Sequence, residues 1–154
     1  MKNKSTLSVL LTVYNHDKFL PEALDSVLNQ SCPPDEFIIF DDGSTDNSPK
    51  ILQEYAQKFP VIKLTLYEEN KGCEEMYSKL AEAATCEYVH FFASDDFLEP
   101  TFYEKSIEQL ERYPKAAFSS TLTRTVDSNG IDLGIIRTPI VSLKPAYFSP
   151  DEVG

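Results

Sequence analysis

Residues 36–48 read Glu36-Phe-Ile-Ile-Phe40-Asp41-Asp42-Gly43-Ser44-Thr45-Asp46-Asn47-Ser48. An apolar run of strand length enters a polar, turn-forming stretch with no spacer between them. An apolar run without alternation predicts a strand covered on both faces, as in a parallel sheet. Asp46 and Asn47 are candidate N-caps for a helix over Ser48–Phe59, where Ile51, Leu52, Tyr55 and Phe59 recur at helical spacing.

The same strand–turn–helix unit precedes and follows this stretch. Leu7–Val13 is an apolar run broken by Tyr14-Asn15-His16-Asp17, and Phe19–Gln30 then carries Leu20, Ala23, Leu24, Val27 and Leu28 at helical spacing. Pro21 sits near the start of that helix, where its missing N–H costs little. Val61–Tyr67 predicts a third strand, Glu69–Gly72 a loop and Cys73–Ala84 a third helix. Tyr88–Phe92 predicts a fourth strand ending in Ala93-Ser94-Asp95-Asp96, followed by a helix over Phe102–Arg112 and a strand over Ala116–Val126. Ser128-Asn129-Gly130 is a hairpin signal, and the Pro-containing stretch beyond Thr138 reads as loop. Alternating strands and amphipathic helices predict an α/β fold: a mainly parallel sheet with helices on both faces and a late β-hairpin. Residues 1–137 read as one domain, and 138–154 as a Pro-rich loop or the start of a further region.

Composition narrows the function. Lys and Arg number 14 against 25 Asp and Glu, a formal charge of −11. That balance argues against nucleic acid as partner, since phosphate neutralisation needs a basic stripe. No apolar run reaches the length of a transmembrane helix, and the N-terminus lacks the pattern of a cleaved leader. Cys32, Cys73 and Cys86 are widely spaced without a CxxC, which suggests reduced thiols and a cytoplasmic compartment.

In parallel sheets ligands sit beyond the carboxyl ends of the strands. That rule selects Thr12–Asn15, Asp41–Asp46, Asn70–Gly72 and Ser94–Asp96. Tyr14 offers a ring face to a planar base, and Asp42 an acceptor for its N–H groups or for a ribose hydroxyl. Asp95 and Asp96 are hard oxygen donors suited to Mg²⁺ or Mn²⁺, which complete their shell with water and substrate phosphates. Each piece alone has a plainer reading as turn, cap or packing residue, and His16 reads as a surface loop residue. Their recurrence at four consecutive strand ends points to a nucleotide with a metal-bound diphosphate.

Leu7–Asn15 (LSVLLTVYN), Phe37–Ser48 (FIIFDDGSTDNS), Asn70-Lys71-Gly72 and Phe91–Pro100 (FFASDDFLEP) resemble the family 2 glycosyltransferases of GT-A (Rossmann-like) fold, over about residues 5 to 126. The resemblance implies a UDP- or dTDP-linked sugar donor and a glycan or other hydroxyl acceptor, in polysaccharide or cell-surface glycan synthesis. On the matching positions, Thr12 and Tyr14 would contact the base and Asp42 its N–H edge. Asn70, Lys71 and Gly72 would line the pocket near ribose and phosphates, with Asn15 and Ser94 counted in the same donor-binding set. Asp95 and Asp96 would hold Mn²⁺ or Mg²⁺, and Asp95 would also touch the nucleotide sugar.

Two departures are visible. Many relatives read D-x-D-D where this chain has Ala93-Ser94-Asp95-Asp96, so the first acid is missing. Tyr77 stands where relatives often carry an Arg that meets the diphosphate. Members of the family usually run well past this length, and the base of inverting members lies on a later acidic motif. The expectation is therefore the N-terminal, donor-binding part of a transferase, with its base beyond Gly154 and possible placement at the inner face of a membrane through other regions. The alternative is a nucleotide- and metal-binding module that is catalytically incomplete.

Overall fold

A computed structural model describes residues 5–127 and 130–136, which fall into two compact units, Met1–Tyr103 and Glu104–Gly154. The first unit holds β1 (Leu7–Val13), α1 (Leu20–Leu28), β2 (Glu36–Asp41), α2 (Ser48–Lys58), β3 (Ile62–Leu66), α3 (Cys73–Ala83) and β4 (Tyr88–Ala93). The sheet is parallel throughout, in the order β3-β2-β1-β4. Leu10 stands beside Ile38 on one side and Phe91 on the other, which fixes the register of β2, β1 and β4.

β1 and β2 lack alternation because both their faces are covered. Leu10, Ile38 and Phe40 point toward α3 and enclose its Met76 and Leu80. Their neighbours Val9, Leu11, Phe37 and Ile39 point to the opposite face and are fully buried as well. α1 buries Leu20, Ala23, Leu24 and Val27, the stripe expected from its spacing, with Pro21 in its first turn. The Tyr55 hydroxyl of α2 donates to Asp25 of α1 at 2.9 Å.

α1 stops at Leu28, two residues short of the expected end, because Gln30 is used elsewhere. Its buried side-chain amide donates to the carbonyls of Ser26 and Glu99, and its Oε1 accepts from the N–H of Tyr103. Gln30 thus anchors the segment that follows β4. Tyr103 also meets His90 at 3.1 Å within a ring cluster completed by Phe92 and Phe102. Burial there pushes the His90 imidazole down to about 4, so it is neutral in the folded chain.

At the amino ends of the strands, buried Glu36 accepts from Ser8 Oγ at 2.6 Å, from the Thr85 N–H at 2.7 Å and from the ammonium of Lys63. Burial alone would raise its carboxyl, but these donors outweigh it and bring the group down to about 2. One side chain thereby ties β1, β2, β3 and the α3–β4 turn together.

α4 (Phe102–Arg112) runs from the end of the first unit into the second, which holds the antiparallel hairpin of β5 (Thr123–Val126) and β6 (Asp132–Ile136). The expected strand from Ala116 shrinks to Thr123–Val126. Residues 116–122 have strand-like composition, but no ladder partner faces them among the described residues, and Phe118 is 71% exposed. The N–H of Gly130 donates to the carbonyl of Asp127, and Gly130 has φ +80°, the left-handed conformation that the Asn-Gly signal anticipated. Ser128, Asn129 and the segment 138–154 lie outside the described residues.

Candidate donor-binding site

The chain leaves β1 toward β2 and β3 on one side and returns to β4 on the other. The strand order therefore reverses between β1 and β4, the position where parallel sheets open a crevice at their carboxyl ends. A cleft of about 350 Å³ lies there, lined by Thr12, Tyr14 and His16 after β1, Asp42 after β2, and Ser94 and Asp95 after β4. Asn70, Gly72, Cys73 and Tyr77 close it from the side of α3.

Asp42 is 3% exposed, and both its oxygens are engaged: Oδ1 accepts from the N–H of Lys71 at 2.7 Å and Oδ2 from that of Gly72 at 2.9 Å. Expected as a base contact, Asp42 is first of all the clamp that seats the 70–72 loop on the end of β2. Gly43 makes that approach possible. It has φ +74°, and a Cβ there would fall 2.7 Å from the Glu69 carbonyl carbon and 2.8 Å from the Asn70 nitrogen. Gly43→Ala is expected to cost about 2 kcal/mol, combining left-handed strain with displacement of the loop backbone. Urea denaturation of the variant checks this, and a midpoint equal to wild type would show that the loop yields freely.

Asn15 does not line the cleft. It takes the left-handed conformation (φ +55°), and its Oδ1 accepts the Thr45 N–H at 2.8 Å while its own N–H donates to Ser44 Oγ at 2.9 Å. It thus pins the end of β1 to the turn after β2. Asp46 continues the seam, accepting from the N–H groups of Asp17 and Ser48, while Asn47 makes no side-chain cap bond to α2. Lys71 contributes its backbone N–H, and its ammonium lies 3.5 Å from Glu69. Asp127 and Asp132 serve the hairpin, accepting from the N–H groups of Ile131 and Gly134.

Two cleft residues, His16 and Cys73, escaped the sequence reading, and Tyr77 entered it only as a departure from relatives. His16 lies one position past the strand-end window that stopped at Asn15, and its Nδ1 is 2.6 Å from the buried Ser94 Oγ. Cys73 and Tyr77 are spaced i, i+4 on the first turns of α3, a periodicity legible beside the buried Met76 and Leu80. Tyr77 meets Phe91 edge-on at 5.6 Å.

Asp95 and Asp96 are exposed at the end of β4. The Asp96 carboxyl is raised, first by the water it loses against the chain and then by the charge of Asp95. Among the described residues no group of three or more His, Cys, Asp or Glu side chains gathers as a metal cluster. Two adjacent carboxylates fit a hard divalent cation that takes its other ligands from water and phosphates. They do not match a closed structural zinc site.

A parallel sheet with an acid-edged cleft at its topological switch is an α/β architecture of GT-A type, and solved structures of this type overlay on the chain. One is TarS of S. aureus, at a TM-score of 0.64 and 26% identity over 71% of this chain and 33% of that one. TarS has also been crystallised with UDP and with UDP-GlcNAc. Another is the mannosyltransferase PcManGT of Pyrobaculum calidifontis in complex with GDP-Man and Mn²⁺, at a TM-score of 0.56 and 25% identity over 62% of this chain and 29% of that one. The glycosyltransferase YibD of Escherichia coli, itself uncharacterized, is 36% identical over 104 residues, covering 68% of this chain and 30% of its own length. The sequence profile of glycosyl transferase family 2 matches residues 8–148, and the chain belongs to that family. It spans about a third of the length of these relatives.

Proposed function

We propose that this chain is the donor-binding part of a transferase that moves a sugar from a UDP- or dTDP-linked donor to a hydroxyl of a glycan or other acceptor, in polysaccharide or cell-surface glycan synthesis. The observation that carries the reading is the convergence of Thr12, Tyr14, Asp42, Asn70, Gly72, Ser94 and Asp95 on one cleft from strand ends far apart in sequence. Residues 1–137 form the donor-binding domain in this reading, and its setting is cytoplasmic.

Tyr14, 46% exposed at the cleft, stacks on the base. Asp42, its carboxylate fixed by two amides, directs its remaining lone pairs to the base N–H edge. Asp95 and Asp96 hold Mn²⁺ or Mg²⁺ against the diphosphate. When bound, the ion supplies charge neutralisation for the departing nucleoside diphosphate.

Calorimetry with UDP tests the reading. Binding is expected in Mn²⁺ and is expected to weaken by tenfold or more, roughly, in EDTA, because an acidic rim repels an unneutralised diphosphate. The Asp95→Ala, Asp96→Ala double variant is expected to bind UDP equally with and without Mn²⁺. A chain that ignores UDP in both conditions, or a double variant that keeps its metal dependence, overturns the assignment.

A further inference from the structure

His16 lines the cleft but has no part in the donor reading. His16 is held from several sides: its N–H donates to Ser48 Oγ at 3.2 Å, and its carbonyl accepts from the N–H groups of Phe19 and Leu20. Phe19 meets its ring edge-on at 6.3 Å. With the backbone fixed on the seam between β1 and α2, the imidazole reaches across the sheet to Ser94, 78 residues on, and makes no other side-chain hydrogen bond among the described residues.

The charge inventory of the cleft makes this ring conspicuous. The ionisable residues that line it are Asp42, Asp95, Tyr14, Tyr77, Cys73 and His16. Among the described residues that line it, His16 is the single nitrogen base, and no Lys or Arg joins them. Lys79 is paired with Glu75 at 2.7 Å and lies over the Tyr67 ring. Lys71 lies near Glu69. Beside the Asn70 amide, a diphosphate in the cleft would find a side-chain N–H donor at His16.

The Ser94 hydroxyl can donate to Nδ1 or accept from it, and the first arrangement is the one that frees a proton at the far nitrogen. A hydroxyl that donates to Nδ1 leaves the hydrogen on Nε2, and a neutral imidazole in that tautomer presents a donor at its far end. No positive charge on the ring is needed.

We propose that His16 is a donor-binding residue that gives its Nε2–H to a phosphate oxygen of the nucleotide sugar, and that Ser94 is the positioning residue that sets its tautomer. This rests on the nucleotide-sugar reading of the cleft. The role goes to a residue outside the acidic and N-x-G motifs, and it supplies a donor where Tyr77 replaces the cationic side chain common in relatives.

The test is calorimetry of the 154-residue chain with UDP and with uridine, both in saturating Mg²⁺. His16→Ala is expected to weaken UDP about tenfold and uridine by no more than about twofold, the size of one hydrogen bond to a charged acceptor. His16→Gln, which keeps a neutral N–H donor, is expected to recover most of the UDP affinity. Ser94→Ala is expected to lose about threefold for UDP alone, since the ring stays but its tautomer is free. These two variants carry the test if His16→Ala does not fold. Equal losses for UDP and uridine, or UDP affinity untouched in all three variants, overturn the assignment. Wild-type chain that binds no UDP overturns the nucleotide-sugar reading itself, and this inference with it.

Discussion

Asp42→Ala is expected to lower UDP affinity on the order of 100-fold and to destabilise the fold by about 3 kcal/mol, because each hydrogen bond to a carboxylate is worth roughly 1.5–3 kcal/mol. The two effects share one cause. The Asp42 carboxylate spends an oxygen on each of the Lys71 and Gly72 amides, and so holds the 70–72 loop against the end of β2. Without it, two N–H groups lose their partner and the wall of the cleft beside α3 is released. Asp42→Asn is expected to recover little. One of its two positions becomes an NH₂ group facing another N–H, so one amide is opposed rather than satisfied. Hydrogen exchange separates the contributions: the Lys71 and Gly72 amides should exchange faster in either variant, while those of β1 should not. Asp42→Ala with protected loop amides but lost UDP affinity would show that the residue acts only through the base. Unchanged affinity would remove it from the site.

The second large effect concerns the opposite end of the sheet. Glu36→Ala is expected to cost about 3 kcal/mol, chiefly from the Ser8 hydroxyl and Thr85 amide left without their acceptor at roughly 1–3 kcal/mol each. Lys63 adds little to that cost, because its side chain is 58% exposed and can turn to water. A loss of that size is a substantial fraction of a typical domain's total stability. The pH dependence follows with a definite sign. A carboxyl held at about 2 in the fold, against an ordinary value of 4.5, contributes stability that is complete above pH 4.5. That contribution fades as the pH falls toward 2. His90 acts in a higher window: neutral in the fold down to about 4, it makes protonation favour the unfolded chain from about pH 6.5 downward. Wild-type stability should therefore decline in two stages, from 6.5 to 4 and from 4.5 to 2. Glu36→Gln should shrink only the second, which Asp46 shares because its own carboxyl is also held below the ordinary range, as read from urea midpoints at pH 7, 4.5 and 2.5. A variant with an unaltered acid limb would show that Glu36 is not the group that titrates.

Both predictions depend on bonds between residues distant in sequence, and these mark the limit of what could be read in advance. The apolar runs of β1 and β2 and the helical stripes of α1, α2 and α3 were legible because their periods are local. Strand Ala116–Val126 was overread because β propensity says nothing about whether a neighbour exists to pair with it. Asp42 lines the cleft at the end of β2, but its engagement with two loop amides was not legible: an acceptor's partners are set by folding, not by its own residue type.

By itself, then, the sequence determined the order of the elements, the parallel character of the sheet and the polar identity of each strand end. Apolar patterning and turn chemistry act within a few residues, and a parallel sheet exposes its carboxyl ends as one edge. Only the tertiary structure decided that β1 lies between β2 and β4, so that the switch point and its cleft fall between Thr12 and Ala93. It alone brought His16 to Ser94, and Asp42 to the amides of Lys71 and Gly72. Those pairings span 78, 29 and 30 residues, and they form because the sheet's register brings the ends of neighbouring strands and their loops together.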